Sequence, residues 1–485
     1  MPRTSKKKTR SKTNGQNGDR TVATNGNLIP PGTTGRFLVL FREDGDEAER
    51  ALREAAGLRV ARAADFDDGA VEAASLSEAE AILFDDLGVA VVNTPPEQVR
   101  NLAAAVADED NPILAVEPER IVYALSAVAP APALTVEREE IGELFTPTAP
   151  VMHVRMPAAA PVELPLEFLR GYREGVDHLI ERLLSVAGVS EQAVAEAVAA
   201  FVETDFTWGL QATKVTASRF SGQGIRVAVL DTGFDMGHPD FVGRRIESRS
   251  FITGQTVQDG HGHGTHCIGT ACGPRRPAQL PRYGVAFNSE IFVGKVLSNQ
   301  GSGADGGILA GIQWAVTNRC EVVSMSLGGQ VQIGEGFSFI FEQVARRALS
   351  RGTLIIAAAG NDSMRPAVIN PVSHPANCPS IMAVAAINQQ LFTAPFSNGG
   401  LNPNGGQIDI AGPGVAVQSS FPRPVLRRTL SGTSMATPHV AGIAALLAEA
   451  NPGARARALA SLLIQGARRL PLPARDIGSG LVQAP

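Results

Sequence analysis

Hydrophobic positions change their spacing several times along this chain. Residues 1–35 show no period and are expected to be disordered. From Arg36 a pattern begins. Phe37-Leu38-Val39-Leu40-Phe41 reads as a strand, and Asp46–Gly57 as a helix with Ala51, Leu52 and Ala55 on one face and Gly57 as its stop. Strand-like runs return at Glu80–Leu83 and Val89–Asn93. Pro95-Pro96 then opens a second helix through Val99, Leu102, Ala103 and Val106, and Ile113–Leu125 closes the unit as a strand. The succession β-α-β-β-α-β over residues 36–125 predicts a small α+β domain of the ferredoxin-like type.

Residues 126–164 are rich in Ala, Pro and Val, as in Ala129-Pro130-Ala131-Pro132, and read as an extended linker. Two helices are predicted after it, at 166–186 and 191–203, with Gly188 between them and Ser190 as an N-cap. Residues 126–205 thus form a linker and helical extension. From about Trp208 the pattern alternates. Strands are predicted at Ile225–Leu230, Ile291–Val296, Val322–Ser326, Leu354–Ala358 and Ile381–Ala385, and helices at 264–273, 305–318, 335–350 and 434–450. Strands separated by helices of this length predict an α/β domain over 206–485 with a doubly wound parallel sheet.

Composition narrows the possibilities. The chain has 485 residues, too many for one ordinary domain, and no apolar run approaches the ~18 residues of a membrane helix. Hydrophobic residues at 44% and charged residues at 19% describe a chain able to bury a large core. The net charge of −5 is uneven: residues 1–12 hold six Lys and Arg and no acid, leaving 37 basic against 48 acidic residues in the rest. No nucleic-acid partner is expected for that acidic body. The basic start is followed by Thr, Asn, Gly and Gln, not by an apolar stretch, so no signal peptide is recognisable. Four cysteines (Cys267, Cys272, Cys320 and Cys378) do not make a disulfide framework, and a cytoplasmic setting is favoured, with secretion by another route left open.

Three segments carry candidate chemistry. In Val227-Ala228-Val229-Leu230-Asp231-Thr232-Gly233 an apolar strand ends on a carboxylate, which places Asp231 at the carboxyl edge of the sheet, where ligands of α/β folds gather. An Asp so placed is also a common turn residue. Asp259-Gly260-His261-Gly262-His263-Gly264-Thr265-His266-Cys267 gathers three histidines within six residues. Spacing leaves two readings open: a metal cluster, or one catalytic imidazole at a Gly-loosened helix start. In Ser431-Gly432-Thr433-Ser434-Met435-Ala436-Thr437-Pro438 a serine enters a helix, where free N–H groups would favour an oxyanion beside Ser434. A plain N-cap is the alternative.

Val-Leu-Asp-Thr-Gly at 229–233, Gly-His-Gly-Thr-His at 262–266 and Gly-Thr-Ser-Met-Ala-Thr-Pro-His-Val-Ala-Gly at 432–442 together resemble the three signatures of the subtilase serine peptidases, spread over residues 206–485. The order Asp231, His263, Ser434 is that of the subtilisin triad. The resemblance implies a subtilisin-like fold and a serine endopeptidase with these three as catalytic residues, and it sets the metal reading aside. It implies Asn361, after Ala357-Ala358-Ala359-Gly360, as the oxyanion-hole donor. It also implies Ser326, Leu327, Gly328, Ala358, Ala359 and Gly360 around the pocket for the residue before the scissile bond, with Ser373 near its floor, and Gly301, Ser302 and Gly303 as the edge that pairs with extended polypeptide substrate.

By the same resemblance, residues 36–125 stand where subtilases carry an inhibitory propeptide, making the chain an autoprocessed zymogen whose propeptide is an intramolecular inhibitor. The end of its last strand, Val122-Tyr123-Ala124-Leu125, or the loop after it, is expected in the cleft. Asp240 matches a calcium ligand of some subtilases. The loop Gly273-Pro274-Arg275-Arg276-Pro277 lacks the oxygen-rich residues that calcium requires, so no cofactor is expected. Two other readings use the same residues: a silent subtilase fold serving as a scaffold, against which the four intact site residues argue, and acyl transfer to an amine in place of water.

Overall fold

The structure is a computed structural model that describes residues 32–125, apart from 43–44, 68–70, 72 and 109, and residues 201–485. The predicted linker and the helix at 166–186 lie outside the described residues. So does the next helix, except for Phe201–Glu203, which are not helical.

The first domain is a mixed sheet, antiparallel except for one parallel edge pair, with two helices against one face. Its elements are β1 (Thr33–Phe41), α1 (Asp46–Ala56), β2 (Val60–Arg62), α2 (Ala73–Glu78), β3 (Ala81–Phe84), β4 (Val89–Val92), α3 (Pro96–Ala105) and β5 (Ile113–Ala124). The sheet runs β5-β1-β4-β3-β2. Two features differ from the expectation. β2 and α2 are additional, and Thr33–Gly35 belong to β1 and not to a tail. Their polar side chains hid them from a hydrophobic pattern; they are held by polar contacts, Thr34 and Arg36 both bonding the buried carboxylate of Glu119. Helix α1 buries Ala48, Ala51, Leu52 and Ala56 and stops where Gly57 turns left-handed at φ 67°.

Period-2 alternation divides the sheet. Phe37, Val39 and Phe41 face α1 and α3, whereas Leu38 and Leu40 join Ile82, Phe84 and Val91 in a core shared with the second domain. That second face rests on helices of the larger domain, with β5 crossing both.

The larger domain has a seven-stranded, wholly parallel sheet. Its elements are β6 (Arg226–Asp231), β7 (Ile246–Ser250), α4 (His263–Cys272), β8 (Glu290–Lys295), the short β9 (Ser302–Ala304), α5 (Asp305–Thr317), β10 (Val322–Met325), the short β11 (Leu327–Gly328), α6 (Phe339–Ser350), β12 (Leu354–Ala358), β13 (Met382–Ile387) and β14 (Ile410–Pro413). A hairpin of β15 (Val417–Ser420) and β16 (Arg427–Leu430) follows, then α7 (Thr433–Ala450) and α8 (Ala456–Gly466). Sheet order is β14-β13-β12-β10-β6-β8-β7, so the winding reverses between β6 and β10. Open α/β sheets bind ligands at that switch point. The doubly wound sheet read from the alternation is the one observed.

The inner strands are continuous apolar runs, as burial on both faces demands: Val227–Leu230 are fully buried. Helix α7 is buried almost all round, from Thr433 to Ala448. Its small residues permit the close approach: an added Cβ on Gly442 would come within 2.8 Å of the Ala271 carbonyl oxygen in α4. Among the described residues no helix is long and apolar enough to cross a membrane. All four cysteines are free and buried.

Candidate active site

β6 carries Asp231 to the edge of the sheet and the chain must then turn sharply. Gly233 takes φ 102°, and a Cβ there would collide with the Val257 carbonyl oxygen, so the turn requires glycine. His263 is the first residue of α4, and its Nδ1 lies 2.7 Å from Asp231 Oδ1, both side chains only 1% exposed. Burial opposes protonation of this imidazole, but the Asp231 carboxylate holds its pKa well above the ordinary histidine value.

The other histidines of the segment do different work. His266 Nε2 faces the carbonyl oxygens of Val417 and Arg428 at 3.0 and 3.1 Å, and burial pushes its pKa down to about 3, so it is a neutral structural group. His261 stands beside His263 with ring centroids 6.1 Å apart, and burial lowers its pKa as well. The three rings therefore do not converge on a metal. Among the described residues the one His/Cys/Asp/Glu group with metal-like spacing is Asp231, His263 and Cys267. There Asp231 and His263 bond to each other, and burial raises the Cys267 pKa, keeping a neutral thiol 3.9 Å from His263 Nδ1.

Ser434 is the second residue of α7, entered through Gly432 and Thr433. Its hydroxyl donates to the Ser326 carbonyl at 3.1 Å, and His263 Nε2 and Asp231 Oδ2 are buried without a partner. Asn361 follows β12. Its Oδ1 accepts from Thr433 N at 2.9 Å and Thr433 Oγ1 at 3.0 Å, which fixes the amide so that Nδ2 points outward as a donor.

What that donor meets is part of the same chain. Asn361 Nδ2 bonds the carbonyl oxygen of Leu125 at 2.6 Å. The preceding residues lie as an antiparallel strand between β9 and β11: Tyr123 pairs with Ser302, Val122 with Gly303, Ala124 with Leu327 and Tyr123 with Gly328. The Ala124 amide donates to Gly301 O at 2.8 Å, and the Leu125 amide to Ser326 O at 3.3 Å, the same oxygen that receives the Ser434 hydroxyl. Val122 is wholly buried and Tyr123 is 53% exposed. A Cβ on Gly328 would lie 3.1 Å from both Leu125 Cδ1 and Ser373 Cβ, so the leucine occupies the pocket beside these residues. Ser373 N donates to Ala359 O, which brings the Ala358–Gly360 segment to the same pocket.

The residues around Asp240 do not suit calcium. Its Oδ1 accepts from Ala278 N and its Oδ2 from Tyr283 OH, both at 2.7 Å. The guanidinium of Arg427 stands 3.9 Å from the same carboxylate, bonds the carbonyls of Gln279 and Pro281, and lies over the Tyr283 ring. Donors and a fixed cation fill the place a metal would take.

Sequence reading missed several groups that shape this site. Thr433, which orients Asn361, is a small polar residue beside Ser434 with no local sign of that role. Glu117 and Glu119, which meet helix N-termini of the larger domain, looked like ordinary polar positions of a strand. Asp259 opens the histidine segment, where its residue type and position carry no local sign of such a role.

Residues 222–480 match the model of the subtilase family, and the chain belongs to that family. It is 40% identical over 249 residues to an alkaline protease of Alkalihalobacillus alcalophilus, covering 50% of this chain and 60% of the relative. It is 36% identical over 270 residues to subtilisin E of Bacillus subtilis (strain 168), covering 55% and 66%. With subtilisin Savinase of Lederbergia lenta the identity is 39% over 249 residues, covering 50% and 85%. The chain thus spans about 60% of the first relative's length and about two thirds of the second's.

Proposed function

We propose that this chain is a serine endopeptidase made as a zymogen, whose own residues Val122–Leu125 are its first substrate. The observation that carries this reading is the Leu125 carbonyl, bonded by Asn361 beside the Ser434 hydroxyl, on a segment paired like a substrate strand. In the reaction, His263 Nε2 takes the proton of Ser434 Oγ as that oxygen attacks the Leu125 carbonyl carbon. Asp231 holds the imidazole and stabilises its charged form. Asn361 Nδ2 and the Ser434 amide receive the oxyanion. His263 then returns its proton to the departing amine of Ser126, and water releases the acyl-enzyme by the same steps in reverse roles. Polypeptides with a leucine-like side chain at the cut and a buried aliphatic residue three positions before it fit the same contacts.

The first domain then acts as an intramolecular inhibitor, because its cut end still occupies the cleft after the bond is broken. Intact mass followed over time, for wild type beside Ser434→Ala, tests both parts. Wild type is expected to yield a fragment beginning at Ser126 while the variant stays whole. A wild type that remains intact and takes no fluorophosphonate label on Ser434 would sink the peptidase reading.

A further inference from the structure

The chemistry just described uses Asp231 and His263 but leaves open what holds them in register, since one ends a strand and the other starts a helix 32 residues later. A buried carboxylate that touches no reacting atom joins the two. Asp259 is 3% exposed and accepts five hydrogen bonds. Its Oδ1 receives Thr232 Oγ1 at 2.9 Å, His261 N at 3.0 Å and Gly262 N at 2.8 Å. Its Oδ2 receives Thr265 N at 2.9 Å and Thr265 Oγ1 at 2.8 Å. Thr232 directly follows Asp231, and its Oγ1 accepts in turn from Gly264 N at 2.8 Å. The neighbours of His263 on both sides, and the neighbour of Asp231, are thereby tied to one carboxylate.

We propose that Asp259 is the positioning residue of the triad, fixing the His263 imidazole against Asp231 by tying the end of β6 to the first turn of α4. The inference rests on the peptidase reading above for its kinetic consequence, though not for its geometry. A buried charge is costly unless donors surround it, and five donors do so here. Lys295 supplies the nearby positive charge: it is fully buried, and its Nζ bonds Asn299 Oδ1 at 2.9 Å and the Thr232 carbonyl. Asn299 Oδ1 also accepts from Gly260 N at 3.0 Å, closing the loop from its other end. A carboxylate that only capped the helix would have no reason to bind Thr232.

The test uses the full chain in the Ser434→Ala background, where no cleavage intervenes, and follows the His263 ring by NMR through a pH titration. With Asp231 held against it, His263 titrates above the ordinary 6.5. Asp259→Asn keeps one oxygen but sets an NH2 group against the Thr265 amide, so the ring loosens from Asp231 and its titration moves to lower pH. Among the described residues Asp231, Asp235, His261 and Lys295 are the other charged or titratable groups around Asp259 and its partners, and none is altered. In chains that retain Ser434, self-cleavage slows about 10²-fold for Asp259→Ala, the scale of an ångström-sized misplacement, and its acid limb moves the same way. In the His263→Ala background the Asp259 change adds no further loss. Where Asp259→Ala does not fold, Thr232→Val cuts the same tie from the strand side. An unmoved His263 titration in folded Asp259→Asn overturns the inference. A wild type that fails to cleave while the titration does move counts against the peptidase reading alone.

Discussion

Asn361 shows how one side chain acquires a direction. An amide can point either end toward a carbonyl, and only the NH2 end can receive an oxyanion. Thr433 removes the choice by donating both its amide and its hydroxyl to Asn361 Oδ1, leaving Nδ2 for the Leu125 oxygen. Because Thr433 immediately precedes Ser434, the donor is referenced to the proposed nucleophile itself. Asn361→Ala is expected to slow self-cleavage by about 10²–10³, the magnitude known for subtilisin's own oxyanion donor, and to lower the melting temperature by only a few degrees as Thr433 loses its buried acceptor. Single-turnover formation of the fragment beginning at Ser126 is the measurement, and an unchanged rate would remove Asn361 from the reaction. Ser434 was legible as a serine entering a helix through Gly432 and Thr433, and Asn361 through the resemblance of Ala357–Asn361 to a subtilase strand end. Thr433 and Asp259 were not, because their roles depend on partners 72 and 27 residues away that no local period reveals.

Helix α4 lies tightly against the turn that follows β6, and the contact depends on a missing side chain. Gly264 lies in the first turn of α4 against the turn after Asp231. A Cβ there would collide with the Gly233 carbonyl oxygen and stand 3.0–3.1 Å from the amide nitrogens of Gly233 and Thr232. Backbone atoms of a sheet edge cannot give way as a side-chain tip can. Gly264→Ala must therefore push the helix, and His263 with it, away from Asp231. Self-cleavage should fall by at least about 10²-fold. Circular dichroism should retain the helix, since alanine favours it more than glycine; wild-type kinetics would show that the two elements have slack. Elements with strong patterns were legible: the five predicted strands and four predicted helices of the larger domain all occur, with ends shifted by a few residues. Helix α8 was missed although Ala456, Leu459 and Leu463 follow helical spacing, whereas two missed strands had weak patterns for physical reasons. β7, Ile246-Glu247-Ser248-Arg249-Ser250, is a half-exposed edge strand with one apolar residue. β14, Ile410-Ala411-Gly412-Pro413, contains the two residues that ordinarily end strands, tolerated at the other edge of the sheet.

For the whole molecule, the first domain has a sheet that cannot stand with both faces satisfied on its own. One face is covered by α1 and α3, and the other buries Leu38, Leu40, Ile82 and Val91 only through docking. Docking is directed by two carboxylates on β5. Glu119 accepts from the Gly306 amide at 2.9 Å at the start of α5, and Glu117 from Ser338 Oγ at 2.6 Å and the Ile340 amide at 3.2 Å at the start of α6. Each acid completes unpaired N–H groups at a helix N-terminus, where negative charge is favoured. These anchors lie just before the cleft-bound segment, so they set the register in which Leu125 reaches Asn361. Among the described residues Glu117 has no side-chain bond within its own domain like that between Glu119 and Arg36, which makes it the cleaner probe. Hydrogen bonds to a charged group contribute about 1.5–3 kcal/mol, so Glu117→Ala should weaken the hold of the cut domain roughly tenfold or more. The bond after Leu125 should still be cut, because Val122–Leu125 keep their pairing, but activity on an added peptide should appear with a shorter lag. Adding Glu119→Ala should shorten it further, with roughly additive effects, since the two acids cap separate helices. A lag that Glu117→Ala leaves unchanged would mean that the apolar face alone holds the domain, and that the carboxylates only align it.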